Sequence, residues 1–310
     1  MSALSTGIAE PSPVGAPVPT GEEQGTGLWR GAFQRLRRNP VALVGAAIVL
    51  AFVLVAIFAP LIAPYEPARA QWADQVTPVS VPGPSDKHLL GLDRYGSDFF
   101  TQLVFGARQS LIVGVVSTLI GLTAGAALGI IAGGLGRVAD TVVMRVVDIM
   151  LSIPSLLLAV SIVAVLGQNR YSVMIAIGAA QVPIFARLLR GSMLSQSGAD
   201  YVLAATSLGL RRRTIVMGHI LPNSLGPTIV QATLNLATAI IEVAALSYLG
   251  LGEPDPAVAE WGRMLVAAQD RFASAPRLAM WPGIAIAISA LGFTLLGEAM
   301  REALDPKQRR

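Results

Sequence analysis

The sequence predicts an all-α, polytopic membrane protein with six transmembrane helices and both termini cytoplasmic. Three observations carry that expectation. Of the 310 residues 53% are hydrophobic and only 14% charged, with a mean hydropathy of +0.61; soluble domains run near a quarter charged, so the bilayer suits this chain better than water. Six long apolar runs follow one another, continuous instead of alternating, which favours helices over a barrel. Arginine and lysine gather at alternate ends of those runs.

Residues 1–38 read as a disordered basic cytoplasmic tail: Pro, Gly, Ser and Thr without periodicity, then Arg30, Arg35, Arg37 and Arg38. The stretch is too polar to be the apolar region of a signal peptide. The first span lies within 39–64, where Val41–Ala63 is uncharged and long enough to cross a core of roughly 30 Å. Residues 65–109 are expected as an extracytoplasmic loop. A five-helix core follows over 110–300, with spans at Ser110–Gly136, Asp140–Gly167, Tyr171–Ala186, Gly226–Gly250 and Leu278–Gly297. Tyr171–Ala186 is short, so it is either buried among its neighbours or anchored by Arg187 and Arg190. The stretch 187–224 is the one sizeable inside loop. Residues 251–277 form a second external segment, which puts Trp261 and the nearby Trp281 at the water boundary. Residues 301–310 are a cytoplasmic tail.

With the N-terminus inside, fourteen of the 23 basic residues fall on the cytoplasmic side and eight outside, which fixes the orientation. The pI near 9.8 then reflects topology, and nucleic acid is not an expected partner. Cysteine is absent, which excludes thiolate chemistry and disulfides. His88 and His219 are too far apart in sequence to suggest a metal cluster. Neither lysine, Lys87 or Lys307, follows a glycine-rich loop, so no Walker A cradle exists. The chain itself is expected to bind no cofactor or metal and to catalyse nothing.

Several features suggest function. Ser117, Gly121, Gly125, Gly129 and Gly133 repeat every fourth residue, a smooth helical stripe for close packing or for sliding during a conformational cycle. Pro154, between Ser152 and Ser155, bends the third span as a fixed kink or as a hinge at a gate. Arg145 and Asp148, three residues apart, are expected to neutralise each other. Glu242 is the one acid of its span, either part of an ion relay or a buried packing or cavity-lining group. The cytoplasmic loop reads as a short helix from Asp200 that Gly209 stops, then Arg211, Arg212 and Arg213, then re-entry at Leu221-Pro222. It is either an amphipathic helix lying on lipid or a knob, with small Ala204 and Ala205, that fits a groove on a soluble partner.

At these residues the sequence resembles the transmembrane subunits of binding-protein-dependent ABC importers. Ala204, Ala205, Gly209 and Leu221-Pro222 match the spacing of their Glu-Ala-Ala…Gly…Leu-Pro hallmark, with Leu203 where the glutamate would stand. His88-Leu-Leu-Gly-Leu-Asp93-Arg-Tyr-Gly96-Ser97-Asp98, Gly106-Ala-Arg108-Gln-Ser-Leu111, Leu246–Gly252 with Trp261-Gly262, and Leu291–Glu298 through Leu304-Asp305-Pro306 narrow the resemblance to the C-type permeases of dipeptide and oligopeptide importers. That subfamily also includes nickel and glutathione systems. The resemblance implies a type I importer permease fold in a prokaryotic inner membrane and a heterodimer with a second permease. It also implies two cytoplasmic ATPases that bind ATP and Mg, an external solute-binding protein and a peptide substrate. Asp200, Leu203, Ala204, Ala205, Leu208, Gly209, Arg211, Arg212, Leu221 and Pro222 would couple the chain to the ATPases. An ion-coupled secondary transporter, which calls for inverted repeats and several intramembrane acids, is the alternative from another class; a membrane enzyme would require clustered catalytic groups.

Overall fold

The computed structural model describes residues 28–67, 70–77, 80–255 and 258–304. Residues 1–27 of the tail expected over 1–38, and residues 305–310, lie outside the described residues; the rest of that tail is not disordered, because Leu28–Leu36 is helical. Regular structure among the described residues is helical, with one isolated bridge between Leu92 and Asp98.

Helix α1 (Leu28–Leu36) precedes a turn in which Asn39 accepts the Val41 N–H at 2.9 Å and caps α2 (Pro40–Ile57). Proline at the first helical position loses no bond there. The four-residue α3 (Ala59–Ile62) finishes this first span. Outward-facing Leu43, Leu50 and Ile57 make it a lipid-facing helix.

Helix α4 (Phe99–Gly134) has 36 residues, about 54 Å at 1.5 Å per residue, far beyond a hydrocarbon core. The sequence reading left Phe99–Gln109 in the external loop. The helix begins earlier because Asp98 caps it, accepting the Thr101 N–H at 2.8 Å, and because a helix that emerges into water accommodates Arg108.

Helices α5 (Arg137–Ser152) and α6 (Ser155–Leu166) replace the single bent span expected around Pro154, and they cross at 93°. Ile153 is forced toward extended backbone by the proline after it (φ −98°, ψ 127°), and Pro154 is extended too (ψ 134°). Two extended residues in succession break a helix instead of kinking it.

Helix α7 (Arg170–Ser197) is the most buried of the candidate spans. It continues eleven residues past the expected end at Ala186, because the two arginines of its second half are neutralised across helices. Arg190 makes a two-pronged pair with Asp140 at 2.9 and 2.6 Å, and Arg187 meets Asp148 at 2.5 Å. Asp148 therefore pairs with α7, not with Arg145 as its spacing suggested. The inside loop accordingly shrinks to the short helices α8 (Asp200–Ser207) and α9 (Arg212–Ile215). A π-helical turn at Val216–Ile220 joins α9 to α10 (Leu221–Tyr248). After α11 (Trp261–Ala268), α12 (Arg277–Leu304) ends the described chain. Five helices, with α9 to α10 taken as one, are long and apolar enough to cross a membrane, six if α5 and α6 form one broken span.

The packing follows the glycines. A Cβ on Gly121 would sit 2.8 Å from the Gln181 Cβ, one on Gly125 2.6 Å from the Val182 carbonyl oxygen, and one on Gly129 3.0 Å from the Leu189 Cβ. Gly133 would meet Met193 at 3.1 Å, and Ser117 is fully buried on the same stripe. Each neighbour lies on α7, so α4 and α7 approach almost backbone to backbone. Lipid cannot drive helices together hydrophobically, and such contact supplies dispersion instead.

Candidate functional site

Four places in the fold carry the residues that the sequence singled out. The first is α8. Schellman geometry ends it: the Gly209 N–H donates to Thr206 O at 2.9 Å and the Leu210 N–H to Ala205 O at 3.2 Å, with Gly209 at φ +76°. Only glycine takes that backbone cheaply. Ala205 is 6% exposed and packs with Leu189, Met193, Ile215 and Ile220 of this same chain. The outward surface is instead Leu203 (69% exposed), Ala204 and Leu208 (81%), with Asp200 at the first turn. This corrects the expectation that both alanines face a partner: neighbouring residues on a helix point roughly 100° apart, so one alanine seats α8 while the other looks out.

Arg211 stands just before α9, and Arg212 and Arg213 open it, all exposed. Leu221 and Pro222 then open α10 directly after the π turn. Proline at 222 has no N–H, and its ring crowds the carbonyl four residues back. The wider turn, in which the Leu221 N–H reaches Val216 O, makes room for it. The Leu-Pro pair thus sets a fixed, widened joint between α8–α9 and the long α10.

The second place is the break at Pro154. Ser155, the first residue of α6, donates from its hydroxyl to Glu242 Oε1 at 2.8 Å. Glu242 is 7% exposed, and its Oε2 has no partner among the described residues. The sequence singled out Pro154 and Glu242 separately; the fold brings them together as the two sides of one joint. A carboxylate beside a helix N-terminus is also favourably placed for the helix dipole.

The third place was not identified from sequence. Thr228, Gln231, Asn235, Thr238 and Glu242 recur at three- and four-residue steps along α10 and form a polar seam. Gln231 Nε2 donates to Asn235 Oδ1 at 2.8 Å, and Asn235 Nδ2 donates to Gln181 Oε1 of α7 at 3.3 Å. Their regular spacing was the available signal; charge alone was sought, and amides and hydroxyls carry none.

The fourth place lies at the N-terminal end of α4, in the segment that the sequence reading put outside the cell. Asp93 accepts from the Tyr95 and Ser97 N–H groups and from Gln102 Nε2 at 2.7–2.8 Å, and His88 Nδ1 lies 2.9 Å from Asp98 Oδ1. The His88–Asp98 motif is therefore a folded cap on α4. Arg277 ties it to α12 by donating to Pro82 O at 2.6 Å. Trp261, expected at the water boundary, is instead buried, and its indole N–H donates to Leu103 O at 3.0 Å. Gly106 clears the way for its ring, since a Cβ there would lie 2.6 Å from Trp261 Cδ1. Between these segments opens a cleft of about 500 Å³ whose walls include Asp93, Gln102, Glu253, Glu260 and Arg263. Burial pushes the Asp93 and Glu260 carboxyls above their ordinary values; the hydrogen bonds to Asp93, and the Ser247 hydroxyl 2.5 Å from Glu260, work against it.

No cluster of three or more His, Cys, Asp or Glu able to hold a metal occurs among the described residues. The arrangement has an apolar knob seated at one end, a broken helix held to α10 by the Ser155–Glu242 hydrogen bond, and a folded cap at the other end.

Comparison with known proteins places this geometry. Residues 125–310 match the model of the binding-protein-dependent transport system inner membrane component, and residues 27–78 that of the N-terminal TM domain of oligopeptide transport permease C. The dipeptide transport system permease protein DppC of Alkalihalophilus pseudofirmus is 43% identical over 95% of both chains. A di/tripeptide permease DppC of Pseudomonas aeruginosa is 41% identical over 89% of this chain and 91% of its own. The glutathione permease GsiD of Pectobacterium atrosepticum is 37% identical over 90% and 91%. An inward-facing structure of the MetNI methionine ABC transporter superposes with a TM-score of 0.53 at 19% identity, over 66% of this chain and 96% of that one. With its family model covering the core and its relatives matching nearly end to end, the chain belongs to the family of binding-protein-dependent ABC transport permeases.

Proposed function

We propose that this chain forms half of the pathway by which an ATP-driven importer moves dipeptides and oligopeptides across the cytoplasmic membrane. Its partners in this reading are a second permease, two cytoplasmic ATPases and an external solute-binding protein. The observation that carries it is the outward face of α8, where Leu203 and Leu208 stand exposed on a helix held by Ala205. Exposed leucines on a short, well-seated helix gain nothing unless another chain covers them. In this reading ATP binding draws the ATPases together and α8 moves with them. The joint at Pro222 passes the displacement to α10, and the Ser155–Glu242 contact passes it to the broken span, so that packed helices shift as bodies between discrete arrangements. The buried amides of Asn235 and Gln181 tie α10 to α7, so these two helices would move together. The chain performs no covalent step, and ATP and Mg belong to the partner ATPases. Both termini face the cytosol by the bias of arginine and lysine.

Peptide is the substrate because relatives 43% and 41% identical are named as dipeptide and di/tripeptide permeases; glutathione is the second reading, from permeases 37–40% identical. The test is import into proteoliposomes that hold the assembled complex, with internal ATP and no ion gradient. Labelled dipeptide accumulates in the proposed case. Uptake that needs a proton gradient and ignores ATP contradicts it.

A further inference from the structure

We propose that a pocket between the first half of α4 and the start of α7 binds one carboxylate group, in the importer the free C-terminus of a peptide. The choice of a peptide rests on the function proposed above. In the 106–111 motif Gly106 makes room for Trp261, while Arg108 and Gln109 have no such duty. They line a pocket of about 260 Å³ together with Phe105, Ile112 and Arg170. Its charge is all of one sign, since no aspartate or glutamate stands among the described residues of the wall. Arg108 is exposed, and its guanidinium makes no hydrogen bond or ion pair among the described residues. Gln109 Nε2 is buried without an acceptor. The Arg170 guanidinium reaches only the Tyr171 hydroxyl, at 3.4 Å, and the face of that ring. Glu253, the acid near Arg170, is spent on backbone: it accepts the Arg170 and Asp255 N–H groups, each at 3.3 Å. Two guanidinium groups on one small pocket repel each other until an anion comes between them, and a buried amide donor is costly until something accepts from it. A carboxylate answers both needs, because its two oxygens offer roughly four acceptor sites and match the arginine fork. Apolar Phe105 and Ile112 lower the local dielectric and strengthen that attraction. The volume falls below the roughly 300–1,000 Å³ of pockets that enclose a whole drug-sized ligand, so one terminal group enters and the rest of the solute stays outside. Arg108 lies about 39 Å along α4 from Gly134, which packs near Val216, so this pocket is remote from the α8–α9 segment.

The test takes the assembled importer in detergent, without a solute-binding protein, and follows the reaction of phenylglyoxal with Arg108 and Arg170 by mass spectrometry of the digest. Exposed Arg37 serves as the reference. Alanylalanine should slow the reaction at Arg108 and Arg170 and leave Arg37 alone. Its C-terminal amide, which keeps the ammonium and both side chains, should need at least about tenfold more for the same protection, the loss of one charge-assisted contact. Gln109→Leu removes a donor that has no acceptor and so costs no stability; it should raise the protecting concentration by a similar factor. Equal protection by acid and amide overturns the inference, and so does unchanged protection in Gln109→Leu. Protection by inorganic phosphate where acetate gives none overturns the carboxylate. Protection by added solute-binding protein, with none from alanylalanine, overturns it too, by assigning the arginines to protein docking. Uptake is measured separately: ATP-driven import of a dipeptide that leaves Arg108 unprotected overturns this inference alone, whereas protection without ATP-driven import overturns only the function proposed above.

Discussion

On α8, a few residues of offset separate a seat from a grip. Ala205 packs inward and Leu208 looks out, so bulk at 205 and polarity at 208 should have different consequences. Ala205→Leu is expected to overpack the cluster around Leu189 and Met193 and to cost about 1–3 kcal/mol of stability, read as a lower melting temperature in detergent. Leu208→Asp should leave that temperature unchanged and lower substrate-stimulated ATP hydrolysis at least about tenfold, the loss of one interface anchor. Glu260 gives a prediction in pH. Its carboxyl is held above the ordinary value by burial, so the folded chain keeps the proton longer than the unfolded one. Stability is then fullest below the ordinary carboxylate range and declines as pH rises through the folded value. Glu260→Gln, which still accepts from Ser247, should flatten that decline and raise the neutral-pH melting temperature, by roughly 2–4 °C per kcal/mol recovered. A parallel pair of pH curves for the two proteins would disprove it.

Among the elements, those that announce themselves by a local rule were legible in the sequence. The four-residue glycine repeat and the stop at Gly209 correspond to real backbone geometry, because close approach and a positive φ each demand the absence of a Cβ. Helix ends were misplaced wherever a distant partner absorbs a charge: Arg187 and Arg190 looked like a boundary until Asp148 and Asp140 came to meet them. Trp261 misled for the same reason, since its partner Leu103 lies 158 residues away. Pro154 marked the bend, while its size came from the extended Ile153 before it. At this scale Gly125→Leu should fail to accumulate, because the obstacle at 2.6 Å is a backbone carbonyl that cannot move aside; normal yield would remove the α4–α7 contact from the account. Pro154→Ala restores an N–H and frees Ile153 for helix. It is expected to straighten the broken span, leaving ATPase binding intact while import falls.

For the whole molecule, the six-span plan followed from hydropathy, and the family from motifs that hold their order over most of the chain. Substrate identity did not, because the polar groups spaced along α10 are mostly amides and hydroxyls, which form no charge pattern that singles out one solute. The central claim is that α8 faces the cytosol and meets another chain there. Because the sequence has no cysteine, Leu208→Cys introduces a single thiol at the tip of the proposed lever. A membrane-impermeant maleimide should label it in inverted vesicles stripped of ATPases, fail to label it in intact spheroplasts, and lose it to protection when the ATPases are added back. Labelling from outside the cell, or labelling indifferent to the ATPases, would contradict the account.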